Sequence, residues 1–409
     1  MAKKYLYFQP EYVSKFKCDG GKYCLNNCCE REWNINIDDA TYKKYSRLKP
    51  KSKAKEITSR MKFYSKRGNY VIKLKENCCP FLTKKSLCRL QLEHGEEFLS
   101  MTCATYPRRT NSFGTFFERS LTLTCPVAAE MILFAQEPMK FEFVEVPDEV
   151  HSKHGRIEME KLPFKEHDAE IAREIQIAMI SILQERRFTI NQRLIALGLF
   201  LDNLEETISS GTDNESILNL IAAYQSEEFL LREMPPLFQS FAFDAKNFTV
   251  FMMKFISHTS EHLKDKKGYH FLCAFTEILG IKPDENNEIP LLDVAANYEL
   301  LVDAHKNFSE NYSTFLENYL VNELFMDHYP WRFNEESITK NFAIFLISYK
   351  IFELMMFTAA QKGFSAKEDL LTFVDWFTLA TAHNKSLYKK FLELLKGIDN
   401  TYLLMRTLL

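Results

Sequence analysis

CDGGKYCLNNCCEREW, residues 18–33, places four cysteines within twelve positions near the start of the chain. Nine of the ten cysteines lie between Cys18 and Cys125, and the tenth, Cys273, stands apart. Clustered cysteines indicate disulfides in a secreted protein and metal ligands in a reducing compartment. The N-terminus has lysines without a following apolar run, so we predict no signal peptide and a cytoplasmic location. We therefore interpret the clustered thiols as metal ligands.

Length and composition restrict the fold. The chain has 409 residues, 46% of them hydrophobic and 26% charged, which is typical of a globular protein of two or three domains. Only 12 glycines and 13 prolines occur, which favours long helices over all-β or glycine-rich nucleotide folds. The long apolar stretch at residues 342–357 is interrupted by Lys350 and Glu353. It is shorter than the ~20 apolar residues of a membrane span, so we predict no membrane association.

The predicted fold class is mainly α, with a small N-terminal α+β cysteine-rich metal domain and a C-terminal helical bundle. The metal domain is predicted over residues 1–135, a connector over 136–164 and the all-helical domain over 165–409. Alternation of period two predicts a strand at 69–75, a hairpin partner at 87–91, and a strand or extended connector at 140–150. Residues 92–107 are predicted to form one helix that ends at Pro107.

The cysteine spacing leaves the metal open. The order is C-x5-C-x3-C-C followed by C-C-x8-C-x14-C-x21-C, without the C-x2-C pairs typical of zinc knuckles. Irregular all-cysteine sets suit an iron–sulfur cluster, yet eight cysteines are also enough for two four-thiolate zinc ions. The C-x3-C-x2-C motif of radical S-adenosylmethionine enzymes is incomplete, because Arg31 follows Cys24 and Cys28 where the third cysteine belongs.

Four combinations of residues identify a family resemblance. They are CC-x3-W from Cys28, CPFL-x5-C from Cys79, TC-x2-YPR from Thr102 and LTLTCP from Leu121. Over about residues 5–135 the chain resembles the flagellin lysine-N-methylases, within a wider cysteine-rich group described as zinc- or iron-chelating domains. Val127 and Glu130 depart from the pattern after the last motif, where the family tends to an acidic and a basic residue.

The resemblance implies an enzyme that moves a methyl group from S-adenosylmethionine to the ε-amino group of surface lysines on flagellin, its protein partner. It also implies a 4Fe–4S cluster as cofactor, with zinc as the alternative metal. Cys78 is additional to the family's cysteines. The metal ligands implied by the resemblance are Cys18, Cys24, Cys28, Cys29, Cys79, Cys88, Cys103 and Cys125.

Candidate residues other than cysteine lie beside these motifs. Arg108 is suited to pair with the carboxylate of the methyl donor through its planar guanidinium, and Tyr106 to contact the lysine amine. Both are predicted to be catalytic. Arg108, Arg109 and Trp33 are the candidate cofactor-binding residues, and Trp33 also suits packing over the metal shell. No glycine-rich loop follows a predicted strand, so the sequence predicts no Rossmann-type donor site.

Two other functions compete with methyl transfer. The first is a non-catalytic adaptor that carries zinc or a cluster and binds a flagellar or other protein partner. The second is a zinc-dependent nucleic-acid binder, suggested by 22 Lys+Arg against 8 Asp+Glu in residues 1–92. No recognised nucleic-acid-binding module accompanies this charge, so we do not favour a nucleic-acid partner.

Overall fold

A computed structural model of the chain divides into two compact units, which are described separately. The N-terminal unit comprises Met1–Met131 and Lys140–Met159, and the C-terminal unit comprises Ile132–Met139 and Glu160–Leu409. The residues that the structure describes are 3–18, 27–29, 35–65, 68–76, 78–113, 116–151, 169–211, 213–239, 241, 247–248, 250–251, 269–281, 291–304, 310–332, 337–382, 393, 405–406 and 409.

In its described residues the N-terminal unit combines seven strands with short helices. Its strands are β1 Lys4–Pro10, β2 Asn36–Ile37, β3 Met61–Tyr64, β4 Asn69–Ile72, β5 Arg108–Phe113, β6 Phe116–Leu121 and β7 Phe141–Pro147. Its helices are α1 Glu11–Lys15, α2 Asp39–Ser46, α3 Lys51–Ser59, α4 Arg89–His94, α5 Met101–Thr105, α6 Pro126–Leu133 and α7 Asp148–His151. Two 3₁₀ turns, Asn27–Cys29 and Glu96–Phe98, lie between them. An N-terminal α+β region is therefore present.

The strands form two sheets. The larger has the order β5-β6-β1-β7, in which β1 runs parallel to β6 and the other two pairs are antiparallel. The smaller is antiparallel, with the order β2-β4-β3. Strand β7 lies in the segment predicted as a connector and pairs along the whole of β1.

The strand predictions had mixed outcomes. The strand predicted at 69–75 is confirmed as β4, and the extended pattern at 140–150 contains β7. The hairpin partner predicted at 87–91 is wrong, because Arg89 begins helix α4. The single helix predicted for 92–107 is also wrong. The chain breaks at Gly95, whose φ is +84°, and starts again where Ser100 caps α5.

A small apolar core supports the smaller sheet and its helices. The side chain of Asp38 accepts a hydrogen bond from the Thr41 amide and so begins α2, as expected of an N-cap. Helices α2 and α3 then bury Tyr45 and Ile57 against β4. Cys79 belongs to this core, and Cys29, Cys88 and Cys103 pack against it. The core therefore forms the apolar support on which four of the cysteines rest.

The C-terminal unit is helical in its described residues, as the 3.6-residue periodicity predicts. Thr189 and Gln192 form a capping box at the start of its second helix, and Gly211 follows that helix with a φ of +69°. The helices are α8 Ala169–Leu183, α9 Ile190–Ser209, α10 Asn214–Gln225, α11 Met234–Gln239, α12 Tyr269–Ile278, α13 Leu291–Ala304, α14 Ser313–Met326, α15 Ile338–Gln361 and α16 Lys367–Ala382.

Helix α15 is the central helix of this unit. With 24 residues, the helix is long and apolar enough to cross a membrane. It extends beyond the apolar stretch seen in the sequence at residues 342–357. However, 94% of its most apolar window is buried inside the protein. Its two charges, Lys350 and Glu353, are buried and pair at 2.8 Å. A helix that is apolar on all sides and buried in this way is typical of a protein core.

A buried carboxylate joins α14 to the region between α8 and α9. Glu317 is 1% exposed and accepts hydrogen bonds from two arginines. Arg186 donates from Nε and Nη2 at 3.0 and 2.8 Å, and Arg193 donates from Nη1 at 2.8 Å. Arg193 is itself 5% exposed, so its charge depends on Glu317 for compensation.

We expect Glu317→Ala to lower the free energy of unfolding by about 3–5 kcal/mol, because it leaves the buried Arg193 without its counter-ion. Urea unfolding followed by circular dichroism measures the change. Glu228→Ala is the matched control, since Glu228 pairs with Arg232 on an exposed helix face. Equal, small effects of both variants would show that Glu317 does not hold these helices together.

Candidate functional site

Seven of the cysteines that the structure describes in the N-terminal unit line one cavity of about 180 Å³. Their sequence positions span more than a hundred residues, so the fold brings distant thiols together. Tyr45, Phe81 and Tyr106 contribute to the same wall. The cysteines that line the cavity are Cys18, Cys28, Cys29, Cys79, Cys88, Cys103 and Cys125.

Short elements place each of these thiols. Cys28 and Cys29 lie in a 3₁₀ turn, and the Cys79 amide donates to the carbonyl oxygen of Cys29 at 2.8 Å. Cys88 is the N-cap residue of α4, and Cys103 lies in the first turn of α5, where its amide donates to the Ser100 hydroxyl. Cys125 directly precedes α6. Most of the thiols therefore lie at the ends of elements, where the backbone changes direction.

Backbone amides are directed at several of the sulfurs. The Cys88 sulfur accepts hydrogen bonds from the amides of Leu90 and Gln91. The Cys125 sulfur accepts in the same way from Val127 and Ala128. Such N–H···S bonds favour the thiolate over the thiol, and hydrogen bonds to sulfur also tune iron–sulfur clusters. This backbone arrangement suits sulfurs that carry negative charge.

The pKa values of these thiols shift in both directions. Burial raises the pKa of Cys103 to about 12 and that of Cys125 to about 11. Hydrogen bonds with Cys28 and Cys79, followed by burial, raise the pKa of Cys29 far above its usual range. Neighbouring thiolates repel one another, whereas a hydrogen bond from Cys29 lowers the pKa of Cys79. A metal bound here would have to displace the thiol protons.

All-cysteine donors suit either an iron–sulfur cluster or thiolate-bound zinc. Among the described residues, no three Cys, His, Asp or Glu side chains lie close enough to hold a single metal ion. The cavity between the thiols is, however, larger than one ion requires. An iron–sulfur cluster holds its thiolates farther apart than a single ion does, because sulfides and several irons lie between them. All-thiolate ligation is also the usual chemistry of such clusters.

The remaining predicted site residues occupy different places. Tyr106 lines the cavity, and its hydroxyl lies 3.1 Å from Oγ1 of Thr124. Arg108 begins β5 beside the cavity, with its guanidinium 5.1 Å from the centroid of the Phe16 ring. Arg109 follows on β5 and pairs with Ser120 on the opposite face of the sheet. Cys24 and Trp33 lie outside the described residues. Cys78 does not line the cavity.

Sequence reasoning missed the aromatic wall and two polar residues of the sheet. Tyr45 is fully buried, and its hydroxyl donates to the Phe98 carbonyl oxygen at 2.6 Å. Gln9 and Arg119 are also buried, on β1 and β6. A charged pair inside the apolar run FFERSL, residues 116–121, is the sequence signal that could have revealed a buried cation.

Comparison with known proteins identifies the family. The pattern of the FliB lysine N-methylase C-terminal domain matches residues 176–406, more than half of the chain. The chain belongs to the FliB lysine N-methylase family. The cysteine motifs of residues 5–135 indicated this family. The family match lies in the helical remainder, where no motif was evident, and it confirms the resemblance.

Three curated relatives of this FliB-family chain come from Salmonella. The flagellar biosynthetic protein FliU of Salmonella muenchen is 32% identical over 129 residues, which cover 31% of this chain and 75% of FliU. The lysine-N-methylases of Salmonella typhimurium and Salmonella choleraesuis are also 32% identical over 129 residues. The matched region covers 32% of the length of each of these two lysine-N-methylases. No solved structure matches this chain.

Cys78 and Cys79 offer a matched pair for testing the cavity. We expect Cys79→Ser to lose most of the bound metal, because it removes a buried sulfur that contacts Cys29. Cys78→Ser should keep the metal. Anaerobic purification followed by iron, zinc and sulfide analysis measures both variants. Equal metal content in the two variants would contradict the assignment of Cys79 as a metal ligand. Zinc without sulfide would show that the metal is zinc and not an iron–sulfur cluster.

Proposed function

We propose that this chain is a cytoplasmic, S-adenosylmethionine-dependent protein-lysine N-methyltransferase that modifies surface lysines of flagellin. The convergence of seven thiols on one cavity, in a chain of the FliB lysine N-methylase family, is the observation that carries the proposal. The flagellar name of the Salmonella muenchen relative supports flagellin as the acceptor. The proposed cofactor is a 4Fe–4S cluster.

The cavity cysteines would hold the cluster. Cys28, Cys29 and Cys79 form the most tightly packed group, and Cys18, Cys88, Cys103 and Cys125 complete the wall. When bound, the cluster would supply a Lewis-acidic iron and would link loops that are distant in sequence. It would also neutralise thiolates that otherwise repel one another.

Methyl transfer itself requires no redox change. The neutral ε-amino nitrogen of the lysine attacks the methyl carbon of the sulfonium. The carbon–sulfur bond breaks, and its electron pair stays on sulfur, which becomes a neutral thioether. The methylated nitrogen then releases a proton to water. The protein must therefore align nitrogen, carbon and sulfur, and favour the neutral form of an amine with a pKa near 10.4.

Tyr106 and Arg108 are the protein groups proposed to act on the reactants. The Tyr106 hydroxyl lies beside Thr122 and Thr124, whose hydroxyls are 3.1 Å apart, so its position is fixed by a hydroxyl network. From there it can accept a hydrogen bond from the lysine amine and orient the lone pair. Arg108 would bind the donor carboxylate through its guanidinium.

Incubation of the purified protein with flagellin and methyl-labelled S-adenosylmethionine tests the proposal. We expect N-methyllysine on flagellin, detected by mass spectrometry. Tyr106→Phe should lower kcat about 10-fold without changing metal content, because one orienting hydrogen bond is lost. The exposed Tyr64→Phe is the control.

Two results would count against this assignment. Failure of the metal-loaded wild type to methylate flagellin would exclude flagellin as the acceptor. Full activity of Tyr106→Phe would show that its hydroxyl does not orient the amine.

A further inference from the structure

A second cavity of the N-terminal unit has a volume of about 490 Å³. Gln9, Glu96, Arg108 and Arg119 line it. Phe16 lines both this cavity and the cysteine cavity, so the two are neighbours that share the Phe16 ring. The proposed cluster and the cysteine motifs give Gln9 and Arg119 no role.

Strand register explains why these residues meet. Tyr7 of β1 is aligned with Phe117 of β6, and Thr110 of β5 is aligned with Arg119. Side chains two positions apart on a strand point to the same face, as do aligned neighbours. Arg119 therefore shares a face of the larger sheet with Gln9, two residues after Tyr7. Arg108 joins the same face from β5.

Arg119 is a buried cation with unused donors. It is 6% exposed, and its guanidinium carbon lies 3.9 Å from the centroid of the Tyr7 ring. Its Nε and Nη2 are buried and find no hydrogen-bond acceptor in the part of the chain that the structure describes. Burying a charged group in this way is costly unless another group compensates it. The unused donors therefore indicate an anionic ligand.

A second cation faces the same space. Burial lowers the pKa of Arg119, Tyr7 partly opposes this shift, and the charge of Arg108 adds to it. The described hydrogen bond of Arg108 goes to the Phe16 carbonyl oxygen at 3.5 Å, a neutral acceptor. Two guanidinium groups that repel each other across a cavity would both be stabilised by a carboxylate bound between them.

The cavity also offers acceptors for a positive group. Gln9 Nε2 donates to Ser14 Oγ at 2.8 Å and to Glu142 Oε1 at 3.2 Å, which fixes the orientation of the amide. Gln9 Oε1 is then buried and has no donor among the described residues. The carboxylate of Glu96 lies on the same lining. Donors and acceptors together complement a zwitterion, a molecule with both a carboxylate and an ammonium group.

We propose that this cavity binds the α-amino-acid end of S-adenosylmethionine, with its carboxylate on Arg119 and Arg108 and its ammonium on Gln9 and Glu96. The identity of the ligand rests on the proposed methyl transfer, whereas the zwitterionic character of the site rests on the cavity residues. A volume of about 490 Å³ is within the range of small-molecule sites.

Calorimetric titration of the full chain with S-adenosylmethionine and with its decarboxylated analogue tests the site without any methyl transfer. We expect the wild type to bind the carboxylated donor about 10- to 100-fold more tightly, because the analogue leaves Arg119 unsatisfied. Arg119→Gln should remove this discrimination. The exposed Arg47→Gln, which lines neither cavity, should retain it.

A purely structural Arg119 would give a different result. Because Nε and Nη2 of the buried Arg119 lack acceptors, Arg119→Gln should leave the ligand-free Tm unchanged or raised, while donor binding falls. Equal binding of both ligands by the wild type, absence of binding, or retained discrimination in Arg119→Gln would each overturn the inference. Discrimination by a protein that does not methylate flagellin would support the site and contradict only the proposed function.

Discussion

The N-terminal unit depends on the electrostatic cost of placing seven sulfurs around one small cavity. Thiolates in apolar surroundings repel one another, so the group must hold either protons or a positively charged partner. Burial of Cys88, Cys103 and Cys125 opposes negative sulfur, while the amides directed at Cys88 and Cys125 favour it. A cation shared by the thiolates would offset both their burial and their mutual repulsion. The two sheets and the short helices are the scaffold that holds this unstable set together.

The sequence predicted the convergence of the thiols but not the way the backbone achieves it. Nine cysteines in the first third of the chain are too many for packing alone, and this statistical signal does not depend on local structure. Strand β6 escaped prediction because Glu118 and Arg119 interrupt its apolar residues, and β5, RRTNSF, is polar over most of its length. The alternation at residues 87–91 predicted a hairpin strand, but Cys88 is the N-cap residue of helix α4.

The C-terminal unit was more accessible to prediction because its helices are long. An apolar periodicity sustained over many residues outweighs single charges, so the all-helical character predicted for residues 165–409 agrees with the long helices α8, α9 and α15. The same reasoning interprets an isolated charge as part of a solvated face. Glu317 is instead buried between Arg186 and Arg193, a pairing across 131 and 124 positions that no local pattern reveals. Long-range ion pairs of this kind require the fold itself.

The topology of the larger sheet bears on where a methyl donor can bind. Doubly wound α/β folds bind nucleotides at the carboxyl ends of parallel strands, through a glycine-rich turn. In the described residues of this sheet only β1 and β6 are parallel, so that arrangement is not available. In the proposed site, side chains bind the donor carboxylate instead of backbone amides. Buried arginines on a sheet face can do this, because a cation held away from water attracts an anion more strongly than an exposed one. In the proposed site, the burial of Arg119 with two donors that lack acceptors would be the physical source of affinity for the donor carboxylate.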